Sequence, residues 1–398
     1  MTVVRLIDLT RSLRRAGRVA TGVDRVEQAY IARFLSDDVA LFGLVRTPLG
    51  YLLLDRTGVA QFHKRLEKHA AWGRISFLSR LSRGRDKVVK SAESDLRRFA
   101  IAQARRSRLA AMLARHLTGG FDYYNVGHSN LTDRVLQAVT EARGSSHVMV
   151  HDVIPLEYPH YQRSGTVAPF KAKLRRVGRH VTRVIYNSRD TQQRTEAYFG
   201  AWGRVPEAIV AHLGTIDPVP IAAEVPEGVQ PEVPYFVVLG TIEPRKNHAF
   251  LLDIWGKMGP DAPALLICGS RGWQNEAVFA RLDRLDSHSR IAEVPNLSDG
   301  AVAHLVKNSA GMLFPSHAEG YGLPPVEALM VGARVLCNDL AVLREILKDR
   351  AVYASVSDVN LWISTIKSWE TKPQTAQETP RFSGPNWDDH FKTVLRLK

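Results

Sequence analysis

Between Pro234 and Cys337, short apolar runs alternate with segments of helical period. "PYFVVLG" ends at Gly240 and reads as a buried strand, and "HAFLLDIWGKM" follows with Leu251, Ile254, Trp255 and Met258 on one helical face. "ALLIC" leads through "GSRGWQN" to a helix from Glu276 to Leu285. "RIAEV", "GMLF" and "ARVLC" are further strands, and Ser298 is placed to cap the helix between the first two. Strands and helices in this order, with no hairpin signal, bury their apolar faces as a parallel sheet covered by helices on both sides. Residues 213–370 therefore form one Rossmann-like domain.

The first half follows the same grammar with one interruption. "VVRLIDLT" is a strand, "TGVDRVEQAYIARFL" a helix with Val23, Val26, Tyr30 and Phe34 on one face, and "VALFGLV" and "YLLLD" further strands. After a basic stretch, "FDYYNVG", "HVMVHDVIP" and "TRVIYNS" restore the strand pattern, with Asn187 or Ser188 poised to cap the next helix. We expect an α/β protein of two Rossmann-like domains, at 1–205 and 206–385. A helix at 386–398 follows the loose stretch "ETKPQTAQETPRFSGPNW" and packs back towards the first domain. Two such domains place the ligand site in the cleft they share, at the C-terminal ends of both sheets.

The 398 residues are 45% hydrophobic and 24% charged, a globular composition. The N-terminus lacks a signal-peptide core and no apolar run reaches the ~20 residues of a membrane span, so a cytoplasmic protein is expected. Cys268 and Cys337 each close an apolar run and read as buried thiols. Net charge is +14, but residues 61–116 hold fifteen Lys/Arg against four acids. Within that stretch Trp72, Ile75, Leu78 and Leu81 recur every third residue, with Arg74, Arg80 and Arg83 between them. A basic helical insertion is expected, either solvated or attached to anionic lipid at the inner face of the plasma membrane. Aromatic residues are sparse in it, so no nucleic acid is expected as a partner.

The chemistry concentrates in loops after strands. In "LGTIEPRKNH", Gly240 ends a strand, Thr241 follows, and Arg245 and Lys246 offer two fixed cations for a diphosphate. In "HAEGYGLPPVEALMVG", Gly320 and Gly322 permit close approach of a ligand, and Tyr321 and Leu323 lie beside them. The helix begins at Pro324 or Pro325, which places Glu327 in its first turn. Glu319 precedes the glycines with no capping role, and its carboxylate suits sugar hydroxyls.

"GTIEPRKN", followed by "HAEGYGLPPVEALMVGARVLC" and "LAVLREIL", resembles the donor-binding half of the retaining nucleotide-sugar glycosyltransferases of family four, which have the GT-B fold. Two glutamates separated by seven residues are that family's signature, and Glu319 and Glu327 match it. The resemblance implies that Glu319 contacts the transferred sugar, that Glu327 holds the ribose hydroxyls, and that Arg245 and Lys246 neutralise the leaving diphosphate. "VHDVIPLEYP" is similar to the family's first-domain loop, which makes His151 a neighbour of the donor sugar. "TGVDRV" resembles a glycine-bearing loop near the diphosphate or acceptor, which marks Gly22 and Arg25. Many relatives have an arginine where this chain has Thr241.

The resemblance further implies retention of anomeric configuration by front-face attack and no cofactor or metal. The implied donor is a nucleotide-sugar, GDP-mannose by the flavour of "EPRKN" and "HDVIP", and the acceptor a saccharide or lipid-linked saccharide in surface polysaccharide synthesis. Two other readings share these residues. One is a sugar-nucleotide epimerase or hydrolase of the same fold, and the other a basic membrane- or nucleic-acid-binding scaffold with a relic cleft.

Overall fold

The computed structural model describes residues 4–80, 86–285, 289–371 and 382–395. It divides into two compact units, Met1–His151 with Pro169–Asn187 and Gln192–Ala211, and Asp152–Ala168 with Ser188–Thr191 and His212–Lys398. The sequence suggests a single junction near residue 205. Instead the segments Asp152–Ala168 and Ser188–Thr191 leave the first unit's chain to join the second unit.

The first unit is built on eight strands: β1 (Val4–Asp8), β2 (Leu41–Thr47), β3 (Gly50–Leu54), β4 (Ala100–Ala104), β5 (Phe121–Asn125), β6 (Gly144–Val150), β7 (Arg183–Tyr186) and β8 (Glu207–Val210). Their order is β4-β3-β2-β1-β5-β6-β7-β8. From β2 to β8 the neighbours run parallel, and β1 and β5, which are adjacent, start the chain's travel in opposite directions. That pair is the switch point, where a crevice opens at the strands' C-terminal ends. The helix Gly22–Ser36 buries Val26, Tyr30 and Phe34, as its periodicity predicts, and starts with a Thr21/Asp24 capping box.

An all-parallel sheet is corrected at one edge, because β3 pairs antiparallel with both β2 and β4. Only Pro48 and Leu49 separate β2 from β3, and Gly50, at φ +139, has no room for a Cβ against Ala104 O. The basic insertion is corrected too. Residues 61–116 contain the rest of the helix Arg56–Leu66, the helices Lys87–Phe99 and Leu109–His116, and β4 itself. Much of its charge is internal: Glu93 pairs with Arg97 at 2.7 Å, and Asp95 with Arg65 at 3.0 Å and Arg98 at 2.6 Å, with both acids buried. Among the described residues of the expected amphipathic stretch, Phe77–Arg80 is helical. Of its proposed residues, Leu81 and Arg83 lie outside the described residues.

The second unit's strands are β9 (Tyr235–Leu239), β10 (Ala264–Cys268), β11 (Ile291–Glu293), β12 (Gly311–Phe314), β13 (Val335–Cys337) and β14 (Val352–Tyr353). All neighbours are parallel, in the order β11-β10-β9-β12-β13-β14. Strands β10 and β12 are buried at every residue, as expected of strands covered on both faces. The helix His248–Met258 packs Leu251, Ile254 and Trp255 into the core beside the fully buried Trp362. Ser298 caps its helix as expected, accepting from Ala301 N at 3.1 Å. Both cysteines are free and buried. The last helix spans Trp387–Leu395, and His390 Nδ1 donates to His212 O at 2.9 Å within the second unit. Among the described residues no helix is long and apolar enough to cross a membrane.

Candidate functional site

The switch point of the second sheet lies between β9 and β12, so the loops after these strands meet there. They are 240–247 and 315–322, and four bonds stitch them together. His317 N donates to Arg245 O (2.9 Å), Arg245 Nη1 to Ala318 O (2.6 Å), Asn247 Nδ2 to Pro315 O (3.3 Å), and Lys246 Nζ to Glu319 Oε1 (2.7 Å). Asn247 takes the left-handed conformation, φ +57, which ends the one-turn 3-10 helix Pro244–Lys246 and starts the next helix.

At the centre is a four-residue charge cluster. Glu319 Oε2 pairs with Arg245 Nη1 at 2.9 Å while its Oε1 takes Lys246, and Arg245 also binds Glu243 Oε1 at 2.7 Å. Glu319 is 7% exposed and Glu243 5%. Burial alone would raise the Glu319 carboxyl, but Arg245 and Lys246 outweigh it and hold it down at about 2. Burial pulls Lys246 below its ordinary range, and Glu319 opposes that pull. Arg245 is raised against its own desolvation by Glu319 and Glu243, with Asp152 adding to them. Lys246 Nζ also lies 4.6 Å from the Phe314 ring centre, a cation–π contact. Gly240, at φ +140, lets the lysine stem pass, since a Cβ there would sit 3.3 Å from Lys246 Cε.

Of the remaining predicted residues in this loop pair, Gly322 is the left-handed residue (φ +96) that starts the helix Leu323–Met330, and a Cβ on it would overlap Leu343. The helix begins at Leu323, not at the prolines, so Glu327 is its fifth residue, past the first turn, and is half-buried. That removes the capping explanation for its presence. Tyr321 is buried, and its hydroxyl donates to Leu213 O at 2.9 Å. Thr241 is exposed, with its methyl against Gly272. The carbonyl of Gly320 accepts from Thr191 Oγ1.

In the first unit, His151 is buried after β6 and its Nε2 donates to Val126 O at 2.7 Å. Burial lowers it to about 4, so it is neutral near pH 7. Asn187, one of the two expected caps, instead donates to His151 O, and Ser188 accepts from Thr191 N. Gly22 is exposed at the first turn of its helix. The sequence reading missed Glu243, which is adjacent in "IEPRK", and His128, whose ring centre lies 5.0 Å from that of His151. A carboxylate two residues before two cations was the available signal for Glu243. Nothing local marks His128.

Two sheets, the first mixed at one edge and the second parallel, each with its own switch point, and a cation-carboxylate cluster at the second define the class. Residues 223–381 match the family Glycosyl transferases group 1. It is 28% identical over 262 residues to the serotype-specific mannosyltransferase WbdA of Escherichia coli, which covers 60% of this chain and 31% of WbdA. It is 29% identical over 129 residues to O-antigen chain mannosyltransferase B of Escherichia coli, 32% of this chain and 34% of that one. The chain thus spans about a third of the curated relatives it matches. Anabaena HepE, solved in complex with UDP and glucose, superposes with a TM-score of 0.61 at 14% identity, over 98% of this chain and 95% of HepE. The fold is that of the GT-B glycosyltransferases.

Proposed function

We propose that the protein is a retaining, metal-independent glycosyltransferase that moves a hexose, mannose from GDP-mannose, onto a saccharide or lipid-linked saccharide in surface polysaccharide synthesis. The observation that carries this reading is the placement of Arg245 and Lys246 on Glu319, between two loops at the switch point of a sheet whose domain matches the glycosyl transferases group 1 family. The mannosyltransferase names of the relatives support the choice of sugar. When the bond between the anomeric carbon and the diphosphate oxygen breaks, negative charge grows on the leaving diphosphate. Cations already fixed by carboxylates need little reorganisation to meet it, which lowers the transition state more than the ground state. Glu319 has a second task in this reading, accepting from sugar hydroxyls while it holds the cations.

The test is nucleotide release from a panel of UDP-, GDP-, ADP- and dTDP-sugars with EDTA present, comparing wild type with Glu327→Ala and Lys246→Ala. Release from GDP-mannose alone, lost in both variants and accompanied by transfer to added oligosaccharide, is the expected result. Release with no new linkage would instead identify a hydrolase, and a complete requirement for metal would overturn the metal-independent mechanism. Removing one such donor costs about 3–4 kcal/mol, so Lys246→Ala loses on the order of 10² to 10³ in turnover.

A peripheral contact with anionic lipid is also part of this reading. It uses Phe77 and Leu78, 74% and 45% exposed, which stand between Arg74 and Arg80.

A further inference from the structure

The first sheet has its own switch point, between β1 and β5, and a cavity of about 520 Å³ lies there. Residues following β1, the end of β2, the loop after β5 and the helix Val167–His180 all contribute to it, and every one belongs to the first unit. Five of its lining side chains are cationic: Arg11, Arg14, Arg46, Lys173 and Arg176. None of the lining residues is acidic. Pro169, Lys173 and Arg176 fall on one face of their helix by spacing.

Several of these cations are held in place by bonds to neighbouring residues. Arg11 Nε donates to Asp24 at 2.8 Å and its Nη2 to Thr21 Oγ1 at 3.2 Å. Arg176 pairs with Asp133 at 3.0 Å and donates to Leu131 O at 3.1 Å. Lys173 reaches His128 O at 3.4 Å. The loop that forms the floor is strained, with His128 at φ +56 and Asn130 at φ +62, and Asn130 is fixed by a 2.8 Å bond to Asp8 Oδ2. Residues kept in sparsely populated backbone states cost free energy that the surrounding structure must offset, and they gather at ligand sites. Five cationic side chains and no acidic one in the lining give the cavity a positive field that suits an anion. Guanidinium groups pre-oriented by carboxylates suit the paired oxygens of a phosphate.

We propose that this cavity binds a phosphate or diphosphate group, and that in the transferase reaction this group belongs to the acceptor. The anion site stands on the cavity itself. Its assignment to an acceptor rests on the glycosyltransferase reading above. Two chemical sources fit, a lipid diphosphate and a soluble phosphorylated sugar.

The experiment is calorimetric titration of the full chain with inorganic pyrophosphate at low salt, in wild type, Arg14→Gln/Arg46→Gln, Lys173→Met and Lys246→Ala. The expected result is two classes of pyrophosphate site, one that weakens by about tenfold or more in the two first-unit variants and is unaffected by Lys246→Ala, and a second, at the second unit's cations, that Lys246→Ala alone weakens. Unchanged pyrophosphate affinity in both first-unit variants, with unaltered melting temperatures, overturns the proposal, as does the absence of binding to wild type. A variant that fails to fold is set aside, since Lys173→Met and the double variant alter different elements. Titration with farnesyl diphosphate and with a hexose 1-phosphate separates the sources: the tighter-binding compound identifies the class, and both outcomes support an anion site. Should the site bind pyrophosphate while no sugar transfer is found with any donor, the anion site stands and the acceptor assignment falls.

Discussion

Glu27 of the first unit is fully buried, with Ser12 Oγ donating to its Oε2 at 2.6 Å, and burial pushes its carboxyl up to about 8. Its folded pKa thus lies above the ordinary 4.5. Between these values the folded chain keeps a proton that the unfolded chain has released, so stability is highest below 4.5 and falls as pH rises towards 8. The total, at about 1.4 kcal/mol per pKa unit, is on the order of 5 kcal/mol. Glu27→Gln keeps the shape and cannot titrate. Its stability relative to wild type should climb from pH 5 to pH 8.5 in urea unfolding, and a flat difference would show that Glu27 ionises normally. Glu319→Ala is a residue-scale change of the opposite kind, because it strips two partly buried cations of their shared counter-charge. Loss of a buried partner costs about 3–5 kcal/mol. We expect a lower urea midpoint for the second unit by tryptophan fluorescence, partly restored by added nucleoside diphosphate, whose charge replaces the carboxylate.

At the scale of elements, the second site depends on where two loops leave their strands. Gly269, just after β10, has its α-carbon so close to the 240–247 loop that a Cβ would lie 2.0 Å from Gly240 O. Gly322 and Gly332 are both left-handed, at φ +96 and +86, but a Cβ on Gly322 would sit 2.5 Å from Leu343 Cδ2, whereas one on Gly332 meets nothing within 4 Å. Gly332→Ala should therefore cost only the conformational part, about 1–2 kcal/mol. Gly322→Ala should cost that and the overlap, and it should lower turnover because it displaces the loop carrying Glu319. Equal losses of stability and activity for the two variants would mean that the Leu343 contact does not position the loop. The antiparallel pairing of β3 belongs to this scale as well. The two-residue link after β2 leaves no length for the crossover that parallel pairing needs.

At the scale of the whole molecule, much of the basic stretch's described part belongs to the first unit's sheet and helices, where Glu93 and Asp95 pair with Arg97, Arg65 and Arg98. Phe77→Ser/Leu78→Ser should reduce salt-sensitive sedimentation with phosphatidylglycerol vesicles while leaving the melting temperature within a few degrees. Equal sedimentation of wild type and variant would remove the lipid contact. The sequence by itself determined the alternation of strands and helices, the Ser298 cap, the buried cysteines, and the loops that carry Arg245, Lys246 and Glu319. Each of these has a short-range cause: residue spacing, backbone freedom or adjacency to a strand end. Only the tertiary structure decided that Arg245 and Lys246 are paired to Glu319 and Glu243, that Tyr321 faces Leu213, and that Glu327 lies beyond the first helical turn. It also gathered Arg11, Arg46 and Lys173 around one cavity. These arrangements depend on distances between residues remote in the chain, which strand order sets and no local pattern encodes.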